Sequence, residues 1–261
     1  MYQTILYTIE NQVATVIINR EEYGNAFSET TYQEIIDVMA DIDQNPEVKA
    51  VILTGAGKYF CAGGDVKYFQ HLIDTGQGIP EDGVLKTGEM VRSIRQNSKP
   101  VIAAINGVAA GAGLGLALSC DFIVMGTQSR LLTAFINMAF PGDTGLMYNL
   151  QQALGSYRTM KHIMLNEPID AELAVEYGLA YSKVADEDLL DEAQALAQKL
   201  AHGPTQTIAH QKALLASILY PQMDDTNLLE AKYMRASSLS DDHSEAVAAF
   251  LSKRQPKFKG N

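Results

Sequence analysis

Residues 101–125 constrain this chain more than any other stretch. They read as an apolar strand (Val101–Ile105), a turn at Asn106-Gly107, a small-residue run (Ala109-Ala110-Gly111-Ala112-Gly113-Leu114-Gly115-Leu116-Ala117-Leu118) and a second apolar strand over 122–125. Short apolar strands without alternation are buried on both faces, as in an α/β sheet. Asn106, the repeated glycines and Asp121 interrupt the run, so it does not read as a membrane span. The small residues lie where a helix should begin. There they permit tight strand–helix packing, or they let a ligand approach the backbone closely.

A second stretch of this kind is Cys61-Ala62-Gly63-Gly64-Asp65, which follows a strand over 48–54. A helix start presents unpaired N–H groups and partial positive charge. Two such N–H groups converging form an oxyanion hole, which stabilises charge developing on a carbonyl oxygen. Either stretch alone reads more readily as packing.

The flanks extend the alternation of strands and helices. Segments 3–9 and 13–18 alternate and read as a hairpin. Residues 28–43 carry a cap at Ser28 or Thr30 and an apolar stripe of Ile35, Ile36, Met39 and Ile42. Residues 70–85 are polar and rich in turn formers, and read as the mobile loop of the chain, with a helix over about 85–96. Gly142-Asp143-Thr144 precedes a helix ending at Gly155, Asp170 caps another, and Gly203-Pro204 separates two long helices. The expected division is a core over 1–200 and a helical region over 201–261.

Lys plus Arg number 20 against 31 Asp plus Glu, a formal charge of −11, which disfavours nucleic acid as a partner. Two cysteines, Cys61 and Cys120, give neither a disulfide framework nor a zinc spacing, so no metal is expected. The first residues carry no basic-then-apolar leader, and a reduced, cytoplasmic setting is the default reading.

Taken together, Phe60-Cys61-Ala62-Gly63-Gly64-Asp65, then Lys99-Pro100-Val101-Ile102-Ala103-Ala104-Ile105-Asn106-Gly107 leading into Gly111-Ala112-Gly113, then Cys120-Asp121, resemble the crotonase (enoyl-CoA hydratase/isomerase) superfamily. Asn19-Arg20 with Asn25-Ala26, the segment 171–180 and the segment 250–258 agree with it. The resemblance implies an α/β fold, a spiral of ββα units with a helical C-terminal trimerisation region. It implies homotrimers or homohexamers and an acyl thioester substrate, of coenzyme A or an acyl carrier. Coenzyme A would enter as part of that substrate, with no tightly bound cofactor. The oxyanion-hole amides would be those of Gly64 and Ala112.

Hydratases of the family use two glutamates, and the matching positions here are Gly115 and about Phe135. Neither can move a proton. One carboxylate remains, Asp143, which matches the sole acid of some family isomerases. It reads as the acid–base of a double-bond shift, or as a helix N-cap, which would lower its pKa. Phe135, Phe140 and Met147 would be the apolar counterweight. A dehalogenase of the superfamily is similar at Asp143-Thr144 and Tyr148, but the chain has no Trp, and its aromatic cradle falls on Phe135 and Gly88. Of the five histidines, only His71 reads as a visitor to the pocket, and as a solvated residue in the first instance. Glu89 reads as a solvated face or a second acid, and Tyr148 as core or as an orienter of Asp143. Cys61 reads as packing.

By the same resemblance, Ala62, Gly63, Asp65 and Val66 would hold the thioester, with Arg20 and Lys67 on its phosphates, and Lys257 or Lys259 reaching over from a neighbouring subunit. The expectation is an acyl-thioester isomerase. The alternatives are a hydrolase or decarboxylase cleaving an activated acyl thioester or diketone, and a non-catalytic thioester-binding subunit.

Overall fold

A computed structural model describes residues 2–261. Strands β1 (Ile5–Glu10) and β2 (Val13–Ile18) form the expected hairpin, with Ile5 opposite Ile18 and Glu10 opposite Val13. Asn11 and Gln12 between them both take positive φ, the geometry that matches strand twist in a two-residue turn. Helix α1 (Glu29–Gln44) starts at a reciprocal cap. Ser28 accepts from the Thr31 N–H, and Thr31 Oγ1 accepts from the Ser28 N–H. Its apolar stripe buries Ile35, Val38, Met39 and Ile42.

Beyond this point the chain winds. Strand β3 (Ala50–Gly55) is buried throughout and is followed by β4 (Tyr59–Cys61), α2 (Val66–Asp74) and α3 (Glu81–Arg95). Strands β5 (Val101–Ile105) and β6 (Val108–Ala110) lead into α4 (Ala112–Ser119). Strands β7 (Phe122–Gly126) and β8 (Arg130–Leu132) lead to α5 (Leu146–Leu154) and α6 (Ser156–Leu165). Then come β9 (Ile169–Asp170), α7 (Ala171–Glu176), capped by Asp170, and β10 (Ser182–Val184). Helices α8 (Leu189–Ala201), α9 (Thr205–Leu219), α10 (Met223–Ser238) and α11 (Asp241–Leu251) close the chain.

The large sheet has the order β1-β2-β3-β5-β7-β10 and the small one β4-β6-β8-β9. Three successive windings (β3–β4, β5–β6 and β7–β8) give their first strand to the large sheet and their second to the small one. This is a spiral of ββα units. It stacks the strand ends of successive turns, so that loops far apart in sequence meet at one edge.

The expected mobile loop over 70–85 is corrected. Helix α2 runs to Asp74 and α3 starts at Glu81, leaving six residues between them. The turn formers were misleading because Pro80, Glu81, Asp82 and Gly83 sit at a helix start, where proline and acidic residues are favoured. The segment is also covered. Leu72, Ile79 and Val84 pack with Phe140, Ala231 and Met234. Hence α10 lies on α3, and the Ser238 hydroxyl accepts the Ile79 N–H. Helix α9 has no buried residue and is held by Lys212, whose ammonium donates to Ile94 O, Lys99 O and Asp121 Oδ2. Among the described residues no helix is long and apolar enough to cross a membrane.

Candidate active site

Parallel pairing of β4 with β6, Cys61 beside Ala109, sets the two small-residue turns next to each other. Gly63 and Gly111 both have positive φ, +98° and +52°. A Cβ on Gly63 would stand 3.0 Å from Ala110 O, and one on Gly113 would stand 2.6 Å from Cys61 O. Glycine is therefore required by the approach of the two backbones. Ala112 is the first residue of α4, so its N–H has no partner within the helix. Among the described hydrogen bonds neither this amide nor that of Gly64 is given to a carbonyl. The Ala112 methyl is buried, and Phe69 lies against Gly64. Cys61 Sγ accepts the Gly63 N–H at 3.4 Å, and burial pushes its thiol up to about 12. The sulfur packs and shapes the turn, in keeping with the sequence reading.

Asp143 is not a helix cap. Gly142, Thr144 and Gly145 take φ of 133°, 59° and 63°, which delays α5 to Leu146 with Gly145 at the cap position. The carboxyl is 6% exposed, and Oδ1 has no hydrogen-bond partner. Burial pushes its pKa from 3.8 up to about 7, and the adjacent Thr144 hydroxyl opposes the shift. The expected lowering by a cap is thereby overturned, because no helix N–H reaches the carboxylate. Phe140 is buried nearby in the chain, and the Phe135 ring covers Gly111 and Gly142.

The missing glutamate at position 115 has a structural counterpart. A Cβ on Gly115 would overlap Thr144 Oγ1 and stand 2.5 Å from Thr144 Cβ. Thr144 occupies the space into which a side chain at 115 would project. Positive φ on a β-branched residue is strained, and here it accompanies the turn that carries the acid.

A second buried carboxylate escaped the sequence reading. Glu230 of α10 is 5% exposed, and its Oε2 accepts the Gly145 N–H at 3.0 Å. Burial, then the charge of Asp143, pushes Glu230 up to about 8 against the Gly145 hydrogen bond. Glu230 lies 85 residues from Gly145 on a helix with no motif around it, so local pattern could not find it. His71 is exposed, whereas His243 of α11 is buried, stacked on Phe140 at 4.2 Å, with Nδ1 bonded to Met138 O.

Tyr148 neither fills the core nor orients Asp143. Its hydroxyl donates to Leu219 O. Glu89 is exposed, and Gly88 is closed against Asn227, 2.5 Å from a Cβ there. Arg20, Asp65 and Lys67 share one rim. Arg20 pairs with Asp65 at 3.2 Å, and both Arg20 and Lys67 lie over the Tyr23 ring. Asp65 also caps α2, which Val66 opens, and Ala62 is exposed beside them. Lys257 and Lys259 are exposed in the C-terminal tail, whose backbone is tied to Glu245 and Asp242 of α11.

Two unspent amides and a buried, partly neutralised carboxyl suit enolate chemistry. The enoyl-CoA hydratase/isomerase family pattern matches residues 8–261, and the chain belongs to that family. It is 34% identical over 263 residues, the whole of both chains, to the 1,2-epoxyphenylacetyl-CoA isomerase of Escherichia coli K12. It is 27% identical, over 99% of each chain, to the trans-2-decenoyl-[acyl-carrier-protein] isomerase of Streptococcus mutans. An enoyl-CoA hydratase structure from Mycobacterium avium subsp. paratuberculosis superposes with TM-score 0.90 at 25% identity, covering 99% of this chain and all of that one. A putative enoyl-CoA hydratase from Streptomyces coelicolor gives 0.79 at 32%, covering 100% and 96%.

Proposed function

We propose that this protein is an acyl-thioester isomerase that moves a double bond through an enolate held by the amides of Gly64 and Ala112, with Asp143 as the acid–base. The observation that carries the reading is the Asp143 carboxyl. It is buried, its Oδ1 lacks a partner, and it stands in a site without side-chain carboxylates at 115 and 135. Ionised Asp143 removes a proton from C2 of a 3-enoyl thioester. The C–H electron pair moves toward the thioester oxygen, and the two N–H groups stabilise the resulting dienolate. The electrons then return through the conjugated system, and C4 takes the proton from Asp143. One group performs both steps, and a pKa near the working pH suits it to be base first and acid second.

Hydration is disfavoured because it needs a group to activate water, and Thr144 occupies the space beside Gly115. The same single acid and amide pair suits opening of a strained ring beta to the thioester carbonyl, where loss of the alpha proton lets the enolate electrons expel the ring oxygen, and the Escherichia coli relative, named as a 1,2-epoxyphenylacetyl-CoA isomerase, favours that variant. The Streptococcus relative, named for a carrier-protein thioester, keeps both thioester carriers open as substrates. The working unit is a homotrimer or homohexamer. Leu214, Leu215 and Ile218 on α9, with Leu228 and Leu229 on α10, are exposed, more apolar surface than helices facing water normally carry.

The test is turnover of 3-enoyl-CoA to 2-enoyl-CoA by the wild type and by Asp143→Asn. Isomerisation that disappears in the variant supports the reading. Isomerisation that persists overturns it.

A further inference from the structure

The catalytic turn is gripped from behind by a carboxyl that the proposed reaction does not use. Glu230 Oε2 accepts the Gly145 N–H, two residues from Asp143, while Oε1 is buried with no partner. One helical turn earlier on α10, both polar atoms of the Asn227 side chain are also buried and unpartnered, and so is Nδ2 of Asn149 on α5. Met223 at the start of α10 packs against Gly145 as well. Helix α10 therefore meets the turn at a polar seam inside an apolar cluster.

We propose that Glu230 is the positioning residue of this site and works in its neutral form. Oε2 fixes the Gly142–Gly145 turn that carries Asp143, and the proton on Oε1 keeps a second negative charge away from Asp143 and the enolate. The inference rests on the acid–base role given to Asp143.

Two carboxylates buried together cannot both ionise cheaply, so environments that separate them divide the roles. Burial raises both carboxyls, to about 7 and about 8, so near neutral pH the pair carries one charge rather than two, and the free Asp143 Oδ1 places that charge on the reacting group. Asp143 is the ionisable group that acts on Glu230. Charged neighbours from the packed elements are engaged elsewhere. On α3, Lys86 pairs with Glu29, Arg92 pairs with Asp224, Arg95 is bonded to Leu118 O and Asn149, and Glu89 is exposed. On α10 itself, Arg235 donates to Ile79 O and Lys232 is exposed. On α11, His243 is held by Met138 O, and burial keeps it neutral. On α1, burial holds the Tyr32 phenol protonated.

Glu230→Gln keeps an acceptor for Gly145 and is neutral at every pH, whereas Glu230→Ala removes the grip. With a 3-enoyl-CoA as probe, Glu230→Ala should lose about a hundredfold in kcat, the scale of a roughly 1 Å misplacement of a catalytic group, with KM less affected. Glu230→Gln should recover most of that loss. It should also lack the fall in kcat that the wild type shows as pH rises past about 8. Thermal unfolding of each variant separates misfolding from misplacement. A second measurement needs no turnover: infrared titration of the protonated-carboxyl band. At pH 7.5 the wild type should show a buried neutral carboxyl that Glu230→Gln removes and Asp143→Asn retains. Glu230→Gln as impaired as Glu230→Ala, or a wild-type band absent at pH 7.5, overturns the proposal. If the wild type fails to isomerise the probe while the infrared result holds, the reaction assignment fails and the neutral Glu230 stands.

Discussion

Replacing Asp143 by Asn should stabilise the protein above neutral pH while abolishing its proposed activity. The carboxyl moves from an ordinary value of 3.8 to about 7 in the fold, chiefly through burial. Between those limits the native state binds a proton that the unfolded chain has lost. Stability attributable to this group is therefore fully present below pH 3.8, falls as pH rises to about 7, and is flat beyond. A shift of about three pH units corresponds to ~4 kcal/mol. The group is 6% exposed, so solvent screens little of it. Asn is neutral at every pH and nearly isosteric, so it should match the fully protonated acid within about 1 kcal/mol, and at pH 5, where the unfolded chain is already ionised, it should exceed the wild type by about 1.5–2 kcal/mol. At pH 8.5 it should exceed the wild type by ~4 kcal/mol. Glu230, raised from 4.5 to about 8, adds its own slope to both proteins. Loss of the Asp143 charge relieves that slope slightly, in the same direction. The assay is urea unfolding of both proteins at pH 5 and pH 8.5 at one protein concentration, because association adds to apparent stability. A stability difference that is the same at both pH values would refute the claim that burial perturbs this carboxyl.

Gly115→Ala should cost about 1–3 kcal/mol by overpacking against Thr144, and adding Thr144→Gly should recover much of it, as read from a double-mutant cycle of unfolding free energies. Lys212→Met should lower stability by about 3 kcal/mol, since it leaves Asp121 and the carbonyls of Ile94 and Lys99 without their cation. Urea midpoints at pH 7 check this. Cys61 should resist thiol reagents in the native protein and react only after unfolding, because burial pushes its thiol up to about 12. Mass spectrometry of the alkylated protein with and without urea reads the outcome.

The two small-residue turns were legible because their demand is local. Gly63 and Gly111 need positive φ, Gly113 needs to be small, and glycine records such needs in the sequence itself. The buried strands and the capped helices α1 and α7 were legible for the same reason. Asp143 was legible as the one carboxylate left ahead of the helix that ends at Gly155, but its environment was not. Three positive φ values, one of them on a threonine, displaced the helix start, and no propensity rule anticipates Thr144 there. The segment 70–85 failed because turn formers and helix starters are the same residue types. Glu230 and His243 failed because their importance arises from the way α10 and α11 fold back over the spiral. A carboxylate on a polar helix and a lone histidine carry no mark of the partners they will meet.

The measurement that tests the account most directly is the mass of the product formed from a 3-enoyl-CoA in heavy water, by the wild type and by Asp143→Asn. The account predicts a 2-enoyl-CoA with no added water from the wild type, and unchanged substrate from the variant. A product heavier by one water, or conversion that survives the loss of the Asp143 carboxylate, would contradict it.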